Sequence, residues 1–347
     1  MSGTSLDGLD IANVDFHFKD NQWEYKLGPC QSISYSSDLK NRLKEAVHLT
    51  GLDLILLNNE FGNWLGEQTK KFLEVNDLNP DFVSSHGHTV FHQPEKGLTY
   101  QIGNGQELAN ACGQTVVCDF RSLDVSLGGQ GAPLVPIGDR LLFHDYDYCL
   151  NLGGIANVSF ESKKGRVAYD IGPANMLLNY LSELEGKSFD EGGELAKSGN
   201  LNSRLFDQLN NLNYYKLDFP KSTGFEWFQE YVLPIIDASE ISIIDKLNTS
   251  VKHIAFQIAK NVEKDKGKRN LLITGGGAKN EFLISELNEL VNGKIHIVIP
   301  SEEIIDFKEA LIFAFMGVLN MRGEVNCLSS VTGAIRDNCG GRLFEPL

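Results

Sequence analysis

The chain has 347 residues, longer than one hydrophobic core usually serves, so two domains are the first expectation. Its 31 basic and 46 acidic residues leave a net charge of −15, which argues against nucleic acid or an anionic membrane as the main partner. Six cysteines (Cys30, Cys112, Cys118, Cys149, Cys327, Cys339) form no CxxC pair, and the longest apolar helical stretch, near Ala310–Leu319, is far short of the ~20 residues that span a bilayer. Reduced thiols in a cytoplasmic, non-membrane protein are expected.

In chain order, Ser2–Gly8 is a turn of small, hydroxyl and acidic residues, followed by alternation over Leu9–Phe18 that predicts a strand. Trp23–Tyr35 reads as a less regular strand, and Asp38–His48 and Leu52–Leu73 carry apolar residues at helical spacing. Short strands at Phe82–Ser84, Leu98–Ile102 and Thr115–Val117 surround a helix at Gln106–Ala111. Gly128–Gly138 is too rich in Gly and Pro for long regular structure and reads as a crossing between domains. A second hairpin follows, Tyr146–Leu152 with Ile155–Phe160, and a third strand ends at Asp170. Helices at Pro173–Leu184 and Ile241–Val262, strands at Asn270–Ile273 and Ile295–Ile299, and an apolar helix at Phe307–Leu319 complete a second half that repeats the plan of the first.

Three loops share one character. Residues 2–8 (SGTSLDG) offer backbone N–H groups and hydroxyls to a phosphate, with Asp7 sensible there if a divalent cation sits between carboxylate and phosphates. Asn151–Asn157 (NLGGIAN) joins the second hairpin, and Thr274–Asn280 (TGGGAKN) follows a buried-strand pattern and precedes a helix rich in Glu and Leu. One such loop alone is a hairpin turn; three in this order point to a nucleotide-dependent phosphotransferase.

Asp170 ends an apolar strand just ahead of Gly172-Pro173, where an open α/β sheet usually places its ligand. By sequence alone a helix-capping Asp and a reactive carboxylate are both open readings. His86, His88 and His92 are spaced for a strand and loop with no Cys beside them, which disfavours metal ligation. Lys221-Ser222-Thr223-Gly224 imitates a phosphate loop but lacks the preceding Gly and upstream strand, and is not read as one.

The blocks MSGTSLDG, SHGHTVFHQP (85–94), DFRSLDVSLGGQGAPLVP (119–136), NLGGIANV (151–158), YDIGPANM (169–176), PKSTG (220–224) and TGGGAKN (274–280) resemble, in order, the anhydro-N-acetylmuramic acid kinase family of the actin, sugar-kinase and heat-shock-chaperone ATPase superfamily. The resemblance runs from Met1 to about Gly333. It implies an α/β fold of two RNase H-like, actin/hexokinase-type domains with mixed five-stranded sheets around an interdomain cleft. Domain I would be 1–124 plus 335–347 and domain II 125–334.

The implied activity is an ATP-dependent kinase that opens the 1,6-anhydro ring of 1,6-anhydro-N-acetylmuramic acid with water and phosphorylates O6, in peptidoglycan recycling. Asp170 would be the general base. ATP would meet Gly3, Thr4, Ser5, Leu6, Asp7, Gly8, Gly153, Gly154, Asn157, Gly275, Gly276, Gly277 and Asn280, with Mg2+ reached indirectly through Asp7. The sugar would meet Thr89, Arg121, Gly172, Asn175 and Glu309. For Arg121, bidentate pairing with the lactyl carboxylate and an internal salt bridge to an Asp stand level. Expected partners are the sugar and ATP, without nucleic acid or membrane, and a homodimer is open.

The family usually has Gln where His88 stands and Arg where Phe225 stands. Its members also carry strand residues ahead of the MSGTS block, so either the start lies upstream or the first hairpin is shorter and its loop less rigid. A superfamily kinase with another small acceptor, or a nucleotide-binding regulator that signals by closure, are the alternatives.

Overall fold

The computed structural model describes every residue except 3–5, 7 and 263–267. It is an α/β fold with mixed sheets, divided into two compact units: Met1–Leu142 with Phe307–Leu347, and Phe143–Asp306. The sequence reading drew its crossings after 124 and after 334. In the first unit residues on both sides of those points are tied to each other: Asp124 Oδ1 accepts from Thr332 Oγ1 at 2.8 Å and Asn338 Nδ2 at 2.9 Å, and Lys308 Nζ meets Asp139 Oδ1 at 2.7 Å.

In the first unit, β1 (Leu9–Lys19) and β2 (Gln22–Ile33) form an antiparallel hairpin. Its turn is the pair Asp20-Asn21 at φ 52° and 61°, the left-handed conformation that matches strand twist in a two-residue turn. Met1 extends this pairing, its amino group donating to Asp10 O at 2.7 Å while Asp10 N donates to Met1 O at 2.9 Å. β3 (Val83–Ser84), β4 (His88–Gln93), β5 (Leu98–Ile102) and β6 (Val116–Cys118) follow; β3 pairs parallel with β6, β4 antiparallel with β5, and the strand Arg342–Phe344 closes on β6. Helix Gly51–Val75 opens on Thr50, whose side chain accepts from Asp53 N, and buries Leu57, Phe61, Leu65 and Phe72 along one face. Each such burial contributes roughly 1.5–3 kcal/mol.

The second unit is one mixed sheet of β7 (Tyr148–Leu152), β8 (Ile155–Ser162), β9 (Gly165–Pro173), β10 (Arg269–Thr274) and β11 (Ile295–Val298), in the order β11-β10-β7-β8-β9. β7, β8 and β9 are an antiparallel meander, and β10 runs parallel to both β7 and β11. Central β7 and β10 read as nearly unbroken apolar runs because helices cover the sheet. Helix Ile243–Val262 supplies Leu247, Val251, Ile254 and Ile258 to that core at a spacing of three and four, and helix Glu281–Val291 supplies Leu283 and Leu287.

Two expectations about the site shift here. β9 does not end at Asp170 but continues through Pro173, and the following helix is Asn175–Leu184 with Ala174 at its N-cap and no side-chain cap bond. The Pro173 ring fits extended backbone at a strand end as well as a first helical turn, so the sequence could not separate the two. The helix expected over Phe307–Leu319 is longer, Glu302–Met321. No helix among the described residues is long and apolar enough to cross a membrane.

Candidate functional site

Asp170 lies on β9 opposite Asn157 of β8. The ladder then skips, since Ala156 pairs with Gly172, leaving Ile171 as an extra residue beside Asp170. Bulges of this kind bend a strand and re-aim its side chains. The carboxylate is held: Oδ2 accepts from Ser222 Oγ at 2.9 Å and from Thr223 N at 3.0 Å. The backbone is held as well, Asp170 N donating to Lys221 O at 3.2 Å and Tyr214 Oη donating to Asp170 O at 2.7 Å. Burial lifts the Asp170 carboxyl above its ordinary value, and the Thr223 and Ser222 hydrogen bonds pull against that lift. Helix capping is thereby excluded as the role of Asp170.

Gly172 is packed against Tyr215, where a Cβ would stand 2.7 Å from the phenol oxygen. Tyr215 Oη is in turn fixed by His253 Nε2 at 3.0 Å, and His253 Nδ1 lies 2.8 Å from Asn210 Oδ1. Burial drives the His253 imidazole down to about 3, so it is neutral in this chain of hydrogen bonds.

The β7–β8 turn, Gly153-Gly154, is stitched to the next helix: Gly153 O accepts from Asn175 N at 3.1 Å and Gly154 O from Ala174 N at 2.8 Å. Asn175 Nδ2 donates to Leu152 O at 3.0 Å, and its Oδ1 would lie 3.0 Å from a Cβ at Gly277. Asn175 is thus wedged between the two Gly-rich loops of this unit. Gly275 and Gly277 are dictated by close approach, because a Cβ on either would fall within 3 Å of β7 atoms. Gly153, Gly154 and Gly276 have no neighbour nearer than 3.4 Å to such a Cβ. The protein's own packing does not demand glycine there, and the exposed backbone is free to approach a ligand. Asn157 sits half-buried at the start of β8, and Asn280 caps helix Glu281–Val291 by accepting from Leu283 N at 2.9 Å.

In the first unit, Gly3, Thr4, Ser5 and Asp7, and with Asp7 the expected indirect cation contact, lie outside the described residues, and of the expected phosphate loop Ser2, Leu6 and Gly8 are described. Leu6 takes φ 57°, and a Cβ at Gly8 would meet Ile33 O at 2.5 Å. Arg121 is held at two points by neutral acceptors, Nε donating to His86 Nε2 at 3.0 Å and Nη1 to Gly131 O at 2.6 Å. Among the described residues no carboxylate lies within ion-pair range of it, so it makes no salt bridge to a described Asp. Glu309 stabilises the Arg121 charge at longer range, while burial lowers it to about 10. Glu309 exposes area to solvent, yet surrounding protein raises its carboxyl and Arg121 draws it back down.

The three histidines have separate partners. His86 Nδ1 meets Gly87 O at 2.9 Å, which places its proton there and leaves Nε2 to accept from Arg121. His88 Nδ1 lies 3.4 Å from Ser2 Oγ, itself the acceptor of Tyr35 Oη at 2.6 Å, and His92 Nδ1 lies 3.1 Å from Thr99 Oγ1. Thr89 accepts from Gln101 Nε2 at 3.3 Å. A cavity of about 640 Å³ elsewhere in this unit is lined by residues of β1 and by residues from the stretches 65–73, 78–85 and 310–322, and Thr89, Arg121 and Glu309 do not line it.

The family model for anhydro-N-acetylmuramic acid kinase matches residues 1–346. The anhydro-N-acetylmuramic acid kinase of Francisella tularensis subsp. novicida is 34% identical over 359 residues, covering 96% of this chain and 94% of that protein. Those of Nitrosomonas europaea (32% over 366 residues, 99% and 98%) and Vibrio cholerae serotype O1 (34% over 368 residues, 100% and 97%) are similar along their whole length.

Proposed function

From the premise that the chain belongs to the anhydro-N-acetylmuramic acid kinase family, we propose that it uses ATP to open and phosphorylate 1,6-anhydro-N-acetylmuramic acid, giving N-acetylmuramic acid 6-phosphate. The observation that carries the chemistry is Asp170: a half-buried carboxylate beside a strand bulge, anchored through one oxygen and paired across the ladder with Asn157. In this reading Asp170 removes a proton from water as the water oxygen bonds to the anomeric carbon. The anomeric bond to O6 breaks, and the freed O6 takes the γ-phosphoryl group of ATP as the bond from γ-phosphorus to the bridging oxygen breaks and ADP leaves. Water needs room between carboxylate and sugar, as in inverting glycosidases.

A bound triphosphate and Mg2+ supply the transferable group and the charge neutralisation that its loose transition state requires. The uncrowded glycines 153, 154 and 276 fit close backbone approach of such a ligand. Arg121, half-buried and with no carboxylate among the described residues in ion-pair range, supports recognition of the lactyl carboxylate, with Thr89 and Glu309 as further sugar contacts. We read both units as RNase H-like domains of the actin and hexokinase type, in the cytoplasm. The first would bear one phosphate loop and the sugar contacts, the second the other phosphate loop, the base and the adenosine loop.

The deciding experiment is ATP consumption with and without the 1,6-anhydro sugar. Sugar-dependent consumption with formation of the 6-phosphate is expected. Equal consumption in both would leave a regulator or a kinase with another acceptor.

A further inference from the structure

The segment Lys221-Ser222-Thr223 looks like phosphate-loop chemistry, but its donors are already directed elsewhere. The Ser222 hydroxyl and the Thr223 N–H both point at Asp170 Oδ2, at 2.9 and 3.0 Å. The Lys221 ammonium lies over the Tyr214 ring, 4.7 Å from its centroid, and donates to Tyr214 O at 3.4 Å. Lys221 O accepts the Asp170 N–H at 3.2 Å. The loop and the carboxylate residue therefore grip each other from both directions, and Tyr214 holds the loop's cation and the Asp170 carbonyl together.

We propose that residues 221–223 position the Asp170 carboxylate, fixing Oδ2 so that Oδ1 is the atom that accepts the proton of water, with Ser222 as a positioning residue. Among the described residues Oδ1 accepts no hydrogen bond, whereas both donors converge on Oδ2. A carboxylate with one oxygen pinned cannot rotate its free lone pairs away from the acceptor, and this rigidity is what positioning contributes to rate. The same two donors favour the ionised form and oppose the upward pull of burial on this carboxyl. Ser222 itself is exposed, so its removal should not open the core.

The inference rests on the reading of Asp170 as base, and the tests separate the two. Ser222→Ala removes one of two donors to Oδ2. We expect turnover to fall about tenfold, the size of one lost hydrogen bond to a charged group. The acidic limb of the rate profile should move to higher pH, with the Michaelis constant for ATP and the melting temperature unchanged. Ser222→Thr, which keeps the hydroxyl, should restore both turnover and limb. Turnover and acidic limb at parental values in Ser222→Ala would overturn the proposal, as would a loss of rate that Thr fails to rescue. Should Asp170→Asn leave turnover intact, the parent reading fails instead, whatever Ser222 does.

Discussion

Tyr214 donates its phenol O–H to the main-chain oxygen of Asp170 at 2.7 Å, so the residue read as the base is gripped at its backbone by one segment and at its carboxylate by another. Tyr215, the next residue, presses on Gly172 and is backed by His253. The C-terminal part of β9, which bears Asp170, is therefore braced by consecutive tyrosines.

That bracing makes Asp170→Asn a clean test, because the amide keeps the shape and loses the basicity. Turnover should fall by roughly 10²–10⁴-fold while ATP affinity stays near the parental value. The parent enzyme's pH profile should also report this carboxyl. Its pKa is raised by burial, so activity is lost as pH falls through a value above the ordinary Asp range. Single-turnover rates across acidic pH check this; an acidic limb at or below the ordinary Asp value contradicts it.

Arg121 spends Nε on His86 and one Nη1 hydrogen on Gly131 O, which leaves the terminal fork for a carboxylate. Arg121→Lys should lose the fork and Arg121→Ala the charge too, each raising the Michaelis constant for the muramic sugar far more than that for ATP. The parent should strongly prefer the muramic sugar over 1,6-anhydro-N-acetylglucosamine, which has no lactyl group. Equal use of both sugars by the parent would show that the carboxylate is not read.

Nucleotide binding should appear as stabilisation. A ligand that binds the folded state at ~100 times its dissociation constant adds about 2.7 kcal/mol. The melting temperature should therefore rise with ATP and magnesium, and a flat response at saturation counts against the three-loop reading.

Buried neutral histidines should make the fold acid-sensitive. His253 and His86 are both held down to about 3 by burial, well below the 6.5 of a free imidazole. Between those values the unfolded chain takes up protons that the folded chain refuses, so stability falls as pH drops below 6.5, by roughly 1 kcal/mol per pH unit for each group. Asp170 and Glu309, raised by burial, act with the opposite sign nearer the carboxylate range. Urea unfolding from neutral pH down to about pH 5 should show the slope. His253→Gln, which keeps polar partners for Tyr215 and Asn210, should reduce it by one proton.

Much of this protein is written locally. Alternation over Leu9–Phe18 and helical spacing over Leu52–Leu73 match β1 and helix Gly51–Val75 within a few residues, because one-sided burial imposes those periods on the sequence itself. Family membership was legible too, in motifs spread along most of the chain. What the sequence could not separate were roles that depend on a distant partner. Asp170 by sequence alone favoured a helix cap, the base coming from the resemblance, and the path of β9 on through Pro173 takes it away from the helix start. Arg121 stood between two carboxylates until its acceptors turned out to be His86 and Gly131. Asn280 and Asn175, expected at ligands, also cap a helix and brace two loops, bonds that only the folded chain shows. Ser222 and Thr223, more than fifty residues from Asp170, meet it because of the path the chain takes between them. A hydrogen bond is a short-range interaction, and only the tertiary structure decides which residues come within its reach.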